Sequence, residues 1–93
     1  MIEASFGQKD ENAVGNFELL VAVDGQVEHW WRENGGDQAW HRGAAFGTEV
    51  ERVCGLLQGS FGFNLEAVVV RNDGKLRHYW RHGGTWETGK ILP

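Results

Sequence analysis

The residues with the most potential for chemistry lie in KLRHYWRHGGTWETG, from Lys75 to Gly89. This stretch holds three aromatic residues, two histidines and two arginines around a Gly-Gly pair. An earlier stretch, QVEHWWRENGGDQAWHRG from Gln26 to Gly43, has a similar composition. Side chains of these types could form a ligand site or a metal site, or they could belong to ordinary packing.

The histidine spacing argues against a metal site. His78 and His82 are four residues apart, which corresponds to roughly 13 Å on a β-strand, whereas two ligands of one zinc ion lie much closer together. His41 and His82 are predicted to be solvated loop residues. We therefore expect no metal ion and no other cofactor.

The carboxylates do not form a catalytic pair. Glu18 and Glu66 each occur once in two similar segments, whereas glycoside hydrolysis requires two carboxylates across one site. The Gly-rich segments join predicted strands and do not open a helix, so they are not phosphate-binding loops, and no nucleophile-elbow motif is present. We expect no enzymatic activity.

The net charge of −4 over 93 residues argues against nucleic acid or an anionic membrane surface as the partner, because phosphate binding requires a surplus of Lys and Arg. No stretch approaches the roughly 20 apolar residues of a membrane span. The first residues lack the pattern of a signal peptide. We expect a protein without membrane insertion that is cytoplasmic or exported by a non-classical route.

The single cysteine, Cys54, excludes an internal disulfide. It lies in the apolar run VCGLL, which favours a buried structural thiol over a nucleophile.

The chain repeats itself, with insertions between the matched blocks, as structural repeats do. The four matched pairs are SFG at 5–7 with SFG at 60–62, NFELLV at 16–21 with NLEAVV at 64–69, DGQVEHWWR at 24–32 with DGKLRHYWR at 73–81, and AWHRGAAF at 39–46 with TWETGKIL at 85–92.

Each repeat predicts four short strands, with an Asp-Gly turn between the second and the third as a strong hairpin signal. The predicted strands are Ile2–Phe6, Asn16–Val23, Gln26–Arg32, Trp40–Phe46, Val53–Phe61, Asn64–Arg71, Lys75–Arg81 and Trp86–Leu92. The best helical candidate, GTEVERVCGLL, matches the approach to an inner strand better. We predict an all-β fold.

A four-stranded antiparallel meander of about 45 residues, carried in tandem, is typical of a β-propeller blade. Residues 1–46 are predicted to form one blade and residues 47–93 the second. A closed ring contains roughly 4–8 blades, so we expect the ring to be completed by head-to-tail oligomerisation. Three chains would give six blades, which favours a C3 homotrimer.

The blocks SFG…GNFELLV, DG.L.HYWR and W..G resemble the repeats of tachylectin-type and related β-propeller lectins of bacteria and fungi. The resemblance covers nearly the whole chain as two blades. It implies a carbohydrate-binding propeller, with sites between or upon the blades and no catalytic chemistry. Familiar members carry all their blades in one chain, which this sequence does not.

Hairpin register places the matched polar residues. We take the Asp-Gly of the first repeat as a two-residue turn and the Asn-Asp-Gly of the second as a three-residue loop. The register that follows pairs Glu18 with Trp31 and Glu66 with Trp80. Each repeat then carries Glu, His and Trp on one face of its blade, and the polar and aromatic residues gather near one rim.

These residues form the candidate ligand site, because an aromatic ring can pack on the apolar face of a sugar while Arg, Glu and Asn bind its hydroxyl groups. The candidate ligand-binding residues are Asn16, Glu18, Trp31, Arg32 and Trp40 in the first repeat, and Asn64, Glu66, Trp80, Arg81 and Trp86 in the second.

A structural interpretation of the same residues stays open. In it, Glu18 and Glu66 accept hydrogen bonds from His or Trp, and the aromatic rings fill the space between blades. The functional hypothesis is multivalent glycan recognition. The alternative is a propeller fragment, or an engineered self-assembling scaffold, with no ligand function.

Overall fold

The computed structural model describes residues 1–6, 15–59 and 62–92, and these form two antiparallel sheets of four strands each. Sheet A has the order β1-β2-β3-β4 and sheet B the order β5-β6-β7-β8. The strands are β1 (Ile2–Glu3), β2 (Phe17–Val23), β3 (Gln26–Arg32), β4 (Trp40–Phe46), β5 (Val50–Gln58), β6 (Leu65–Arg71), β7 (Leu76–His82) and β8 (Thr85–Leu92). The all-β prediction is confirmed.

The candidate helix from Gly47 to Leu57 is a strand over most of its length, as predicted. Within the described residues, no helix is long and apolar enough to cross a membrane. The predicted features that fall on residues 7–14, Ser60, Phe61 and Pro93 lie outside the described residues.

Two tight turns fix the register of the long hairpins. Asp24 and Gly25 have φ of 51° and 80°, and a two-residue type I′ turn requires positive φ at both positions. In sheet B, Gly74 has φ of 84°, and the Lys75 backbone N–H donates to the Asp73 carboxylate at 3.0 Å. That hydrogen bond holds the pKa of Asp73 below its usual range.

The register of both hairpins is the one predicted from these turns. Glu18 pairs with Trp31 in sheet A, and Glu66 pairs with Trp80 in sheet B. A shift in register interrupts the pairing of β3 with β4 and of β7 with β8 at matched positions. The two sheets therefore place matched residues on matched faces.

The two sheets pack face to face, but the faces that meet are not matched: sheet A uses the face that carries its Glu–His pair, and sheet B uses the other face. The buried core consists of Leu20 and Val27 from sheet A with Val50, Ala67, Val69 and Tyr79 from sheet B. Leu20 shares its face with Glu18, whereas Val69 lies on the face of sheet B opposite to Glu66, because alternate residues of a strand face opposite ways. The packing leaves one face of each sheet open.

The prediction of a buried thiol is wrong, because Cys54 is exposed. β5 is an edge strand whose pairing with β6 shifts between Val53 and Gly55. Val53 and Leu56 both pack against the core on either side of this shift, so Cys54 is turned out to solvent. The β5 strand also begins at Val50, earlier than predicted, and β1 ends at Glu3, before the predicted Phe6.

Replacing Gly25 or Gly74 by Val should destabilise the fold by about 1–2 kcal/mol each, the cost of a β-branched residue in the left-handed region. Both sites have open space around an added Cβ, so the effect is conformational and not steric. Urea unfolding measures it. Gly35→Val is the matched control, because Gly35 has open space without a positive φ. Equal stability of all three variants would contradict the turn assignment.

Candidate functional site

A chain of hydrogen bonds crosses from sheet B to sheet A and is buried at its sheet A end. The Trp86 indole N–H donates to His29 Nδ1 at 3.4 Å, and His29 Nε2 lies 2.7 Å from Glu18 Oε1. Because Nδ1 accepts, the ring proton lies on Nε2 and is donated to the carboxylate. The His29 and Glu18 side chains are only 4% and 3% exposed. At such burial every polar group requires a partner, so each member fixes the next.

Sheet B contains a matching Glu–His pair that is not covered by another sheet. His78 Nε2 lies 2.7 Å from Glu66 Oε1, but the two side chains are 36% and 31% exposed. The Trp80 ring stacks on His78 with their centroids 5.4 Å apart. Among the described residues, nothing donates to His78 Nδ1, which corresponds to the atom that Trp86 contacts on His29.

Two matched glycines let each histidine lie against the last strand of its sheet. A Cβ added at Gly43 would lie 3.1 Å from the His29 carbonyl oxygen and 3.4 Å from its Nδ1. At Gly89 the corresponding distances to His78 are 2.6 Å and 3.1 Å. Both positions exclude a side chain for the same reason, so the two histidine environments are built alike.

A cleft of about 180 Å³ opens between the sheets beside the buried chain. This inter-sheet cleft is lined by Phe6, Asn16, Glu18, His29, Trp31 and Arg81. The Arg81 guanidinium carbon lies 6.0 Å from the centroid of the Phe6 ring. Of the residues predicted for the site, Asn16, Glu18, Trp31 and Arg81 therefore meet in one place, the first three from sheet A and the last from sheet B.

His41 supports the cleft, although it was predicted to be a solvated loop residue. It lies within β4, and its ring stacks on Trp31 with centroids 4.4 Å apart. Its Nε2 is 3.3 Å from Asp37 Oδ1. The Ala39 backbone N–H and then His41 hold the pKa of Asp37 below its usual range. His82 is exposed, as predicted, but it is the last residue of β7 and not part of a loop.

Arg32 and Trp40 are not in the inter-sheet cleft, although they were predicted to share a rim with Trp31. Arg32 follows Trp31 in the strand and so lies on the other face, with its guanidinium carbon 5.7 Å from the centroid of the Phe17 ring. Trp40 pairs with Arg32 across the strands and is 41% exposed on that same face. Rim position and face must both match before two residues can share a site.

The remaining predicted residues lie apart from one another. Asn64 Oδ1 is 3.3 Å from His82 Nδ1, at the end of sheet B. Glu66 and Trp80 lie on the open face of sheet B with His78. Trp86 lies between the sheets and stacks on Phe46 with centroids 4.2 Å apart, which fits the structural interpretation of this residue.

Two residues of the cleft were not among the predicted ligand-binding residues. Phe6 belongs to the repeated SFG block and His29 to the repeated His-x-Trp pattern, so the signal for both was the repeat itself. Within the part of the chain that the structure describes, no group of three or more His, Cys, Asp or Glu side chains is placed to hold a metal ion.

No family model, no curated protein and no solved structure matches this chain. A functional proposal therefore depends on the geometry of the cleft and of the two open faces.

Replacing Glu18 by Ala should lower the free energy of unfolding by about 1–3 kcal/mol, because the buried His29 N–H loses its acceptor. Chemical denaturation with tryptophan fluorescence measures the change. Glu51→Ala is the control, since Glu51 is exposed on β5 and its loss should stay within about 0.5 kcal/mol. A Glu18→Ala protein as stable as the control would show that the buried chain does not stabilise the sheet pair.

Proposed function

We propose that this chain is a carbohydrate-binding module in which the inter-sheet cleft binds one sugar ring. The observation that carries the proposal is the meeting of two aromatic rings, Phe6 and Trp31, with Asn16, Glu18 and Arg81 in one concave site. An aromatic face packs against the apolar C–H face of a sugar, and fixed polar groups bind its hydroxyls.

The polar groups of the cleft have capacity left for a ligand. Glu18 uses Oε1 for His29, which leaves Oε2 as an acceptor for a hydroxyl group. The Arg81 guanidinium provides several donors, and charge-assisted hydrogen bonds of this kind are the stronger ones. A volume of about 180 Å³ is below the roughly 300–1,000 Å³ of sites for drug-sized ligands, which suits a single ring.

The proposal extends to the architecture. The two sheets are two propeller blades, residues 1–46 and 47–93, and other copies of the chain complete the ring, with a C3 homotrimer of six blades expected. The cleft then recurs around the ring, and repetition of a weak site gives avidity without high affinity at each site. Glycans are the partners in this function, with no part for nucleic acid, membrane insertion, metal or catalysis.

A second function is assembly without a ligand, as a propeller fragment or an engineered self-assembling scaffold. Large apolar side chains on the open faces favour it, with Val21, Trp40 and Leu92 exposed by 38%, 41% and 40%. In that case the cleft residues only support the sheet pair. Ligand binding separates the two functions, because assembly is common to both.

A glycan array followed by hapten titration tests the proposal, with quenching or shift of tryptophan fluorescence as the second signal. Arg81→Ala and Trp31→Leu should each weaken binding at least about tenfold. A hydrogen bond to a charged group is worth roughly 1.5–3 kcal/mol, and 1.4 kcal/mol is tenfold in affinity.

The matched controls are Arg52→Ala and Phe63→Ala, which remove an exposed Arg and an exposed aromatic residue outside the cleft. Both should bind like the parent chain. If no mono- or oligosaccharide binds at millimolar concentration and the tryptophan fluorescence stays constant, the carbohydrate proposal is wrong. That result would favour assembly without a ligand.

A further inference from the structure

Each sheet has one open concave face. Face A, on sheet A, is lined by Leu19, Val21, Glu28, Trp30 and Trp40 around a volume of about 400 Å³. Face B, on sheet B, is lined by His78, Trp80, Thr88, Gly89, Lys90 and Leu92 around about 550 Å³. The two faces lie on opposite sides of the sheet pair, because the sheets pack through their other faces. Open apolar faces on a small protein mark association surfaces.

Face A has the same pattern as the side of sheet B that is already buried. In the alignment of the two repeats, Trp40 falls on Trp86, the residue that contacts His29 across the existing interface. The other matched pairs are Leu19 with Ala67, Val21 with Val69, and Trp30 with Tyr79. Ala67, Val69 and Tyr79 are each at most 1% exposed. Face A is therefore open to solvent, although its counterpart on sheet B is buried in the core.

Face B repeats the opposite side of the same interface. His78 falls on His29, Trp80 on Trp31, and Leu92 on Phe46, which packs against Trp86. The Glu–His hydrogen bond on face B has the length of its buried counterpart, 2.7 Å. The two open faces are therefore the two halves of one known interface, displayed on opposite sides of one chain.

We propose that face A of one copy of this chain packs on face B of a second copy, in the geometry by which sheet B packs on sheet A. Trp40 of one copy then donates its indole N–H to His78 Nδ1 of the other, as Trp86 does to His29. The interface buries the Glu66–His78 pair that the single chain leaves open. This inference does not depend on sugar binding.

Polar groups on the two faces agree with this pairing. Arg32, on the side of face A, matches Arg81, which lines the inter-sheet cleft with Glu18. The docking brings Arg32 toward Glu66 of the other copy in the same way. Among the described residues no carboxylate forms an ion pair with Arg32, whose guanidinium donates to Gln38 Oε1 at 3.3 Å in an exposed position. A carboxylate from a second copy supplies the opposite charge at this position, where a generic apolar partner would not.

The contact is head-to-tail, because the two faces differ. Such contacts close into rings or continue as filaments. Each copy contributes two sheets, so three copies give a ring of six, within the roughly 4–8 blades of closed propellers. The expected mass is 3 × 10.4 kDa, about 31 kDa.

Light scattering coupled to size exclusion tests the inference with two variants that charge one face each. Val21→Lys acts on face A and Leu92→Lys on face B, and both residues are already part-exposed, so the single chain should fold. The control is Ile91→Lys, because Ile91 has similar exposure (41%) but faces away from face B, next to Leu92 in β8. The parent and the control should elute at about 31 kDa, and the two face variants at 10.4 kDa. Circular dichroism should show unchanged β structure in all three variants.

A mixing experiment then tests the head-to-tail direction. The Val21→Lys chain keeps face B, and the Leu92→Lys chain keeps face A, so an equal mixture should form a dimer of 2 × 10.4 kDa, about 21 kDa. The like charges on the two blocked faces prevent any second contact. Neither variant should dimerise alone.

Three results would overturn the inference. The first is a parent chain that remains at 10.4 kDa at micromolar concentration, which would assign the faces to a partner other than a second copy. The second is a mixture of the two face variants that stays monomeric. The third is a face variant that dimerises by itself, because that would show a contact between like faces.

Discussion

The hydrogen-bond chain from Trp86 through His29 to Glu18 is the contact on which the arrangement of the two sheets depends. Apolar burial supplies most of the driving force for packing, but it is non-directional. A buried His between a donor and an acceptor is satisfied in one relative placement of the sheets only. The same hydrogen bonds hold Glu18 in the wall of the inter-sheet cleft. The geometry of the candidate site therefore follows from the contact that joins the sheets.

Each sheet contains one hydrogen-bonded Glu–His pair, and the two pairs differ in burial. The first copy is covered by sheet B, and the second, Glu66 with His78, is open to solvent with its hydrogen bond already made. Equal geometry at unequal burial means that the local hairpin and Gly89 build the pair, and that the covering sheet is not needed to form it. Preformed surfaces of this kind associate without paying for local rearrangement. In the proposed function, self-association and ligand binding share one architecture, since each sheet contact creates the walls of a cleft.

Much of the fold could be predicted from sequence because turn chemistry and alternation are local properties. The Asp-Gly turns set the register, and the register set which residues share a face. Cys54 was predicted to be buried, but a register shift in the edge strand β5 turns its side chain to the solvent side. No residue pattern in the sequence indicates this shift. The predicted strand Trp40–Phe46 already contained His41. Its supporting role was missed because its stacking on Trp31 depends on the cross-strand register of β3 with β4, which was not predicted.

The candidate site was predicted in part for a related reason. Residues on one hairpin, such as Asn16, Glu18 and Trp31, could be grouped from register alone. The contribution of Arg81 depends on how one sheet packs on the next, which is a tertiary property. Arg32 and Trp40 were grouped with Trp31 by rim, but they lie on the other face of sheet A. On the proposed assembly they are instead the counterparts of Arg81 and Trp86, presented to another copy.

The central claim is that a tryptophan from a neighbouring sheet caps each Glu–His pair, Trp86 within the chain and Trp40 between chains. Hydrogen exchange of the indole N–H groups, followed by NMR on chain labelled at its five tryptophans, tests it directly. We expect the Trp86 indole N–H to be protected at every concentration and that of Trp40 to become protected as concentration rises. A Trp40 N–H that exchanges freely in the associated protein, or a Trp86 N–H that is never protected, would contradict the claim.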